Sequence, residues 1–432
     1  MKRKATRLLA TLLCVIMLVS TMIIPLSAAG NKGGLGSIAD VSDILNALSY
    51  ADYRKNHVTE PKGEGEIIID VSDDENCLVK DKTTADYSIV DWQGKEDTLY
   101  VPGTGSVTWK FNVEKAGNYV IAIEYCQADD DKTNSIERIF YINGQVPFSE
   151  ARSIVLSKTW EYNYKIDENG NKTFETDTNG NDIRPEVIPL LQWTEYELVD
   201  SKGYYTNPFE FYFKSGENTI TFESVREPVY ISKISLRPLE ETISYEDYLK
   251  LHGVGTSVNS SPIKIEAEAP NKVSNVTMYP VNDRTSSITT GLTGNQSAQV
   301  TKYNTAGKEQ WQTVGEWMTY EIEVAEDGYY SIVLRYKQDL LSGMYVSRRV
   351  YIDGEIPFTE ASNCRFPFTN EWETVKLGDG KVEFKFYLTA GKHEIKLEAV
   401  LGEMSSIIQQ VNSTLSNINN CYLEILKLTG RT

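Results

Sequence analysis

The chain has 432 residues, room for two or three domains, and its 41% hydrophobic and 24% charged residues mark a folded globule rather than a disordered polymer. Lys and Arg number 43 against 61 Asp and Glu, a formal charge of −18 that argues against a nucleic-acid or anionic-membrane surface. With 26 Tyr, 13 Phe and 7 Trp but only 3 His, the composition suits a β-rich protein with aromatic surfaces and offers little for a His-built metal or acid–base site.

Lys2, Arg3, Lys4 and Arg7 precede an apolar run from Leu8 to Leu26, and Ser27-Ala28-Ala29 closes it with small residues. Charged, apolar and small in that order predict a secretory signal peptide over 1–29, the alternative being an N-terminal membrane anchor. Its removal leaves 39 basic against 61 acidic residues, a charge of −22. No later segment has eighteen consecutive apolar residues, so the mature chain is expected to be exported and not inserted in a membrane. A linker over 30–64 follows, in which Ile38, Val41, Leu45 and Leu48 recur at helical spacing and predict a short helix from Ser37 to Asn56.

The sequence then repeats itself. Ser49-Tyr-Ala-Asp-Tyr-Arg-Lys-Asn-His57 matches Ser244-Tyr-Glu-Asp-Tyr-Leu-Lys-Leu-His252, and the segment from Trp109 to Val120 matches that from Tyr320 to Ser331. Arg138–Ala151 matches Arg348–Ala361, and Gly216–Val225 matches Gly391–Val400. Four matches in one order indicate two homologous domains, 65–240 and 263–402, joined by a helical linker over 241–262. A cut near Ser244 is therefore expected to leave two folded pieces.

Within each unit apolar residues alternate with polar ones. Val107, Trp109, Phe111 and Val113 share one strand face, as do Tyr119, Ile121 and Ile123; Tyr320, Ile322 and Val324, then Tyr330, Ile332 and Leu334, repeat this. Asn143-Gly144 and Asp353-Gly354 are hairpin signals, since both residues of each pair tolerate positive φ. Seven or more strands per unit without intervening helices predict an all-β protein of two tandem antiparallel jelly-roll sandwiches. Opening strands are expected at Glu66–Val71 and Ile263–Ala267. The first unit carries an insertion, 162–189, rich in Asn-Gly and Asp; it reads as a polar loop or hairpin, mobile over Asp167–Asn181.

After the second unit, apolar residues recur at three and four from Ile407 to Leu426 and predict a C-terminal helix from about Glu403 to Leu428, within 403–432. The competing reading ends the helix at Asn420 and makes Tyr422–Leu428 a closing strand, because Val229–Leu236 occupies that place in the first unit. Cys77, Cys126, Cys364 and Cys421 lie far apart without a C-x-x-C pair, which excludes zinc sites of the usual spacing and favours buried thiols over one disulfide per half.

The run Ile263-Lys-Ile-Glu-Ala-Glu268, Gly315-Glu-Trp-Met-Thr-Tyr320, Gly328–Tyr336 and Gly391–Leu397 resembles carbohydrate-binding modules of the family 6 and 35 type, over about 260–400. The first unit fits this less well, opening Ile67-Ile-Ile-Asp70. Longer stretches, Asn181–Pro185, Arg335–Met344 and Val346–Phe358, resemble the N-terminal region of large extracellular solute-binding proteins of Gram-positive sugar ABC importers. In those proteins paired sandwiches precede a bilobed solute-binding domain. Here the chain ends at Thr432 without one, as a stand-alone relative or a truncated product would.

The resemblance implies jelly-roll sandwiches that recognise an oligo- or polysaccharide, an extracellular location at a Gram-positive cell surface, and a transport complex as a partner. It also implies a structural calcium ion held by Glu266 and Glu268, two carboxylates whose mutual repulsion a hard cation relieves. Asp70, near Asp73 and Asp74, is a single counterpart in the first unit. Trp317 matches a family position for stacking on sugar; Trp311, Trp372 and Trp193 lie in polar loop sequence, as do Trp92 and Trp160. For each, packing in a core or between domains is the competing role. Arg349, beside Arg348, whose place Arg138 takes in the first unit, is a candidate for an acidic sugar, against a structural pairing with a neighbour such as Glu360 or Glu150. Arg184 and Arg284 are loop charges with the same two readings.

No catalytic arrangement emerges, and an enzyme is not expected. His57 and His252 end matching helices, where a cation complements the dipole, and there is no G-x-S-x-G, H-E-x-x-H or glycine-rich phosphate loop. Two functions remain: a secreted glycan-binding accessory protein, and a structural or protein-interaction module of a cell-surface solute-binding assembly.

Overall fold

The computed structural model describes residues 48–130, 132–253, 262–286, 288–295 and 297–429. The expected signal peptide and residues 37–47 of the expected Ser37–Asn56 helix lie outside them. Leu48 and Ser49 are not helical, and α1 (Tyr50–His57) begins only where Ser49 Oγ accepts the Asp52 N–H at 3.2 Å, so the helix does not run through from the expected start. Its repeat, α2 (Tyr245–His252), begins on the same bond from Asp247 to Ser244, at 3.1 Å, and stops at Gly253 with φ +76°.

Both helices dock by one scheme. The Tyr50 N–H donates to Glu150 Oε2 at 2.9 Å, and the Tyr245 N–H to Glu360 Oε2 at 2.8 Å. The Tyr53 and Tyr248 hydroxyls accept the backbone N–H groups of Tyr212 and Tyr387. His57 does not serve chiefly as a charged helix end. Its ring stacks on Tyr212 at 4.7 Å and 15°, and burial pushes its pKa down, which favours the neutral ring. His252 stacks on Tyr387 at 4.5 Å in the same way.

The protein is all-β apart from its helices. In the first sandwich, a five-stranded antiparallel sheet built on Ser106–Val113, Gly216–Arg226 and Ile136–Ile142 faces a seven-stranded one centred on Gly117–Gln127 and Val229–Arg237. Alternation puts Val107, Trp109, Ile220, Phe222 and Phe140 from one sheet against Ile121, Ile123, Ile234 and Leu236 from the other, all at most 2% exposed. The turns at Asn143-Gly144 (φ +49°, +76°) and Asp353-Gly354 (φ +52°, +90°) have the left-handed geometry their residues favour.

The insertion contributes strands to the second sandwich instead of forming only a loop of the first. Trp160–Asn163 and Glu186–Pro189 pair with each other and add to the large sheet of the second sandwich through Lys272–Val273. One row of facing residues crosses the junction: Trp160, Val273, Met318, Leu397 and Val350, none more than 5% exposed. A two-residue strand would be a poor sheet edge alone, and Trp160 covers it. The rest of the insertion is tied down by the Tyr162 hydroxyl to the Met278 carbonyl (2.7 Å) and by Asp182. Asp182 pairs with Lys302 at 3.0 Å and accepts from the Thr293 hydroxyl and the Tyr303 N–H. Between them, Asp167 and Asp177 fold the Asn-Gly stretches into turns by accepting nearby N–H groups.

The opening strand expected at Ile263–Ala267 does not form, and the segment is irregular. The second sandwich closes its core with two separate strand pairs, Gly328–Tyr330 with Phe386–Leu388 and Val333–Tyr336 with Glu373–Lys376. The described residues end in α3 (Met404–Thr429), with no closing strand among them. Cys77, Cys126 and Cys364 are buried free thiols, whereas Cys421 on α3 is exposed.

His393 joins two hairpin ends of this sandwich, with Nδ1 2.6 Å from Asp353 Oδ2 and Nε2 2.7 Å from the Thr389 carbonyl. Burial opposes its charge, but these two acceptors outweigh it and raise its pKa above 6.5. A raised His pKa gives stability that is full below pH 6.5 and lost as the pH rises through the raised value. Urea unfolding at pH 5.5 and 8.5 should show this loss, under about 1 kcal/mol after solvent screening, and His393→Gln should flatten it.

Candidate functional site

On the large sheet of the second sandwich, Trp317, Glu398 and Arg349 lie side by side on three neighbouring strands. They occupy the face opposite the Met318–Leu397–Val350 row, because adjacent strand residues point to opposite sides. Arg349 is 3.7 Å from Glu398 and donates from Nη2 to the Thr206 carbonyl of the first sandwich at 3.0 Å. Its acidic partner is thus Glu398, not Glu360; Nη2 is engaged at the junction between sandwiches, Nη1 donates to the Tyr351 hydroxyl, and the buried Nε has no hydrogen-bond partner among the described residues. Lys396 Nζ lies 5.6 Å from the Trp317 ring centroid and 3.8 Å from that of Tyr351. These groups form a half-buried seam rather than an open platform.

Arg348, pointing the other way, lies over the Trp311 ring at 4.1 Å, and burial pushes its pKa down to about 10. Trp311 Nε1 donates to the Glu316 carbonyl at 2.9 Å, so both ring and edge are engaged. Arg138, its counterpart, is buried and satisfied by the carbonyls of Glu137, Arg226 and Glu227. In the first sandwich Trp193 Nε1 donates to the Gln93 carbonyl at 3.1 Å, and Lys95 lies 5.1 Å from its ring. Trp92 is stacked flat on Tyr230 at 4.2 Å and 6°.

Trp372 has a different setting. It stands just before the Glu373–Lys376 strand, and its Nε1 donates to Asp283 Oδ1 at 3.2 Å and Thr285 Oγ1 at 3.1 Å. Lys308 Nζ sits 3.2 Å from Asp283 Oδ2. Burial opposes ionisation of Asp283, but hydrogen bonds from Thr285, Trp372 and Lys308 overcome it and hold the carboxyl at about 2. The Arg335 guanidinium lies 5.9 Å from the Trp372 centroid and donates to Ser286 Oγ at 3.0 Å. Lys337 Nζ is 3.5 Å from Thr285 Oγ1. A half-buried indole, fixed at its edge and bordered by an ionised carboxylate, hydroxyls and three cations, combines a stacking face with donors and acceptors at fixed positions. None of Trp317, Trp311, Arg349 or Trp193 joins Trp372 through the contacts described above.

Glu266 and Glu268 do not share a strand face, since no strand forms there. Glu268 is 2% exposed, and its Oε1 accepts the Leu292 N–H at 2.8 Å. Burial, with Glu266 nearby, pushes its carboxyl up to about 7. Glu266 pairs with Lys264 at 2.5 Å. A buried carboxyl disfavoured as an anion fits a cation site in charge. The donor set is incomplete: among the described residues no third His, Cys, Asp or Glu joins the pair, and calcium takes six to eight oxygens.

Sequence reasoning missed the junction itself. A cavity of about 380 Å³ opens there, lined by Asp130, Trp160, Arg184, Glu186 and Val276 among others. Arg184 lies over the Tyr279 ring at 3.7 Å and donates to the Val276 carbonyl. The alternation of Trp160, Tyr162 and Tyr164 with polar residues was the signal that this insertion contains a strand.

No family model matches the chain, and no curated protein matches it. Among solved structures, a family 35 carbohydrate-binding module from Cellvibrio japonicus Abf62 is similar over 41% of this chain and 95% of its own, at 10% identity and a TM-score of 0.23. A family 35 module from Paenibacillus barcinonensis is similar over 40% and 98%, at 10% identity and a TM-score of 0.21. A Podospora anserina GH26-CBM35 β-(1,4)-mannanase is similar over 48% of this chain and 30% of its own, at 11% identity and a TM-score of 0.20. Likenesses at these TM-scores carry no residue and no ligand over to this chain.

Proposed function

We propose that this chain is an exported, non-catalytic glycan-binding protein of a Gram-positive cell surface, linked to sugar uptake, whose saccharide contact is the surface around Trp372. The observation that carries this is the anchoring of the Trp372 indole by Asp283 and Thr285 beside Arg335 and Lys337. A pyranose presents an apolar face for the ring and hydroxyls for the flanking groups, and a ring already held in place loses little freedom on binding. Calcium at Glu268 and Glu266 is part of the proposal, as a structural ion completed by carbonyls and water. Among the described residues no helix is long and apolar enough to cross a membrane.

A glycan array with residues 30–432 tests the reading. Trp372→Ala is expected to weaken any glycan bound at least tenfold, about 1.4 kcal/mol, while Trp311→Phe leaves it within threefold. Binding that survives Trp372→Ala and falls with Trp193→Ala would move the site to the first sandwich. No binding to any glycan would favour the second reading, a protein-interaction module. Ile407, Val411 and Ile418 on α3 are at least 50% exposed, an apolar stripe suited to a protein partner.

A further inference from the structure

In the first sandwich, Val229–Arg237 is the strand that unites its sheet. It pairs with Gly117–Gln127 from Val229↔Gln127 to Arg237↔Val120, and also with Lys95–Val101 and with the opening strand Ile67–Ile69. Beneath it Ile121 and Ile123 are 0% and 1% exposed. The second sandwich reproduces the other side of that arrangement in register. Tyr330↔Phe386 corresponds to Tyr119↔Phe211, and Leu334↔Val375 to Ile123↔Tyr196. On the remaining side of Gly328–Tyr336, no strand pairs among the described residues.

The consequences of that open edge are local. Ile332 and Leu334, which replace Ile121 and Ile123, are only half-buried, and Val333 is 49% exposed. Ile263 and Ile265, in the segment that takes the place of the first opening strand, are irregular and 48% and 39% exposed. A strand with no neighbour to pair with does not form.

The same chain carries a segment with the composition of the absent strand. Tyr422-Leu-Glu-Ile-Leu-Lys-Leu428 aligns without a gap on Tyr230-Ile-Ser-Lys-Ile-Ser-Leu236. The core residues Ile231, Ile234 and Leu236 fall on Leu423, Leu426 and Leu428, and each segment follows the matching strand, Gly216–Arg226 or Gly391–Val400. As the end of α3, this segment leaves Tyr422 and Ile425 each 56% exposed. Two apolar surfaces are thus only partly covered among the described residues, and the first repeat shows how they fit together.

We infer that Tyr422–Leu428 is the closing strand of the second sandwich, and that the last turns of α3 are its undocked form. In the docked form the helix ends at Asn419-Asn420, two residues of low helix propensity. The segment lies antiparallel to Gly328–Tyr336 with Leu426 opposite Leu334, as Ile234 lies opposite Ile123, and pairs on its other edge with Ile263–Ala267. The occupant is this chain's own segment; the same strand from a second copy would be a swapped dimer.

The test uses residues 30–432 carrying Leu334→Cys and Leu426→Cys, with Cys421→Ser to prevent mispairing. Directly opposed strand residues are within disulfide reach. Oxidation should give an internal disulfide in a monomer, seen by non-reducing electrophoresis and peptide mapping. A covalent dimer, or no disulfide, would overturn the inference. Because three substitutions together can disturb folding, amide hydrogen exchange of the unsubstituted chain provides a second measurement. Amides of Leu423–Leu428 should exchange at least ~100-fold more slowly than those of the exposed turns 407–418. A chain ending at Asn420 should lose at least ~10-fold protection over 329–336. Equal exchange throughout α3, or unchanged protection at 329–336, would sink it.

Discussion

Residues 244–432 expressed alone are expected not to fold cooperatively, although the repeat places a domain boundary just before them. The large sheet of the second sandwich takes two strands from the first repeat, and Trp160 stands at 4% exposure in a row with Val273 and Met318. In the full-length protein, Trp160→Ala should therefore cost about 3–5 kcal/mol, the usual range for deleting a buried aromatic side chain. It should lower the urea midpoint of the second sandwich while leaving that of the first little changed. Circular dichroism of the isolated 244–432 fragment is the direct check. If that fragment unfolded cooperatively at the midpoint of the intact chain, the donated strands would be dispensable decoration.

Calcium should raise the melting temperature of the intact protein, and Glu268→Gln should abolish that rise. Ionised and buried, the Glu268 carboxylate has the Leu292 N–H as its hydrogen-bond donor and Glu266 as a repulsive neighbour. An uncompensated buried charge costs several kcal/mol, and either a cation or removal of the charge relieves it. In chelator, Glu268→Gln is accordingly expected to be more stable than the natural protein, by about 1–3 kcal/mol. Calorimetric scans in calcium and in chelator distinguish the outcomes. A natural protein indifferent to calcium, with a destabilised Glu268→Gln, would make Glu268 a hydrogen-bonding residue of the core and remove the metal from the proposal.

Which aromatic and cationic side chains are available to a ligand depends on contacts that a linear sequence lacks. Trp311 and Trp372 have similar polar surroundings in sequence, yet Arg348 from a strand nearly forty residues away covers one, while Asp283 and Thr285 fix the edge of the other. Arg349 and Trp317 carry the family resemblance, but register aligns them through Glu398 at a seam against the first sandwich. Whether an aromatic or cationic side chain is available to a ligand depends on what lies above it, and no local pattern encodes that.

The sequence by itself determined the doubling of the unit, the alternating strands, the left-handed turns at Asn143-Gly144 and Asp353-Gly354, and the matching helices that end at His57 and His252. Each of these rests on interactions within a few residues or on the period of two that one buried face imposes. Tertiary structure alone decided where the 162–189 insertion goes, and left Ile263–Ala267 without a strand. Strand pairing is satisfied by whichever edge is open, so Trp160–Asn163 found its partner in Lys272–Val273, more than a hundred residues on. Ile263–Ala267 would have found its own only beside a closing strand.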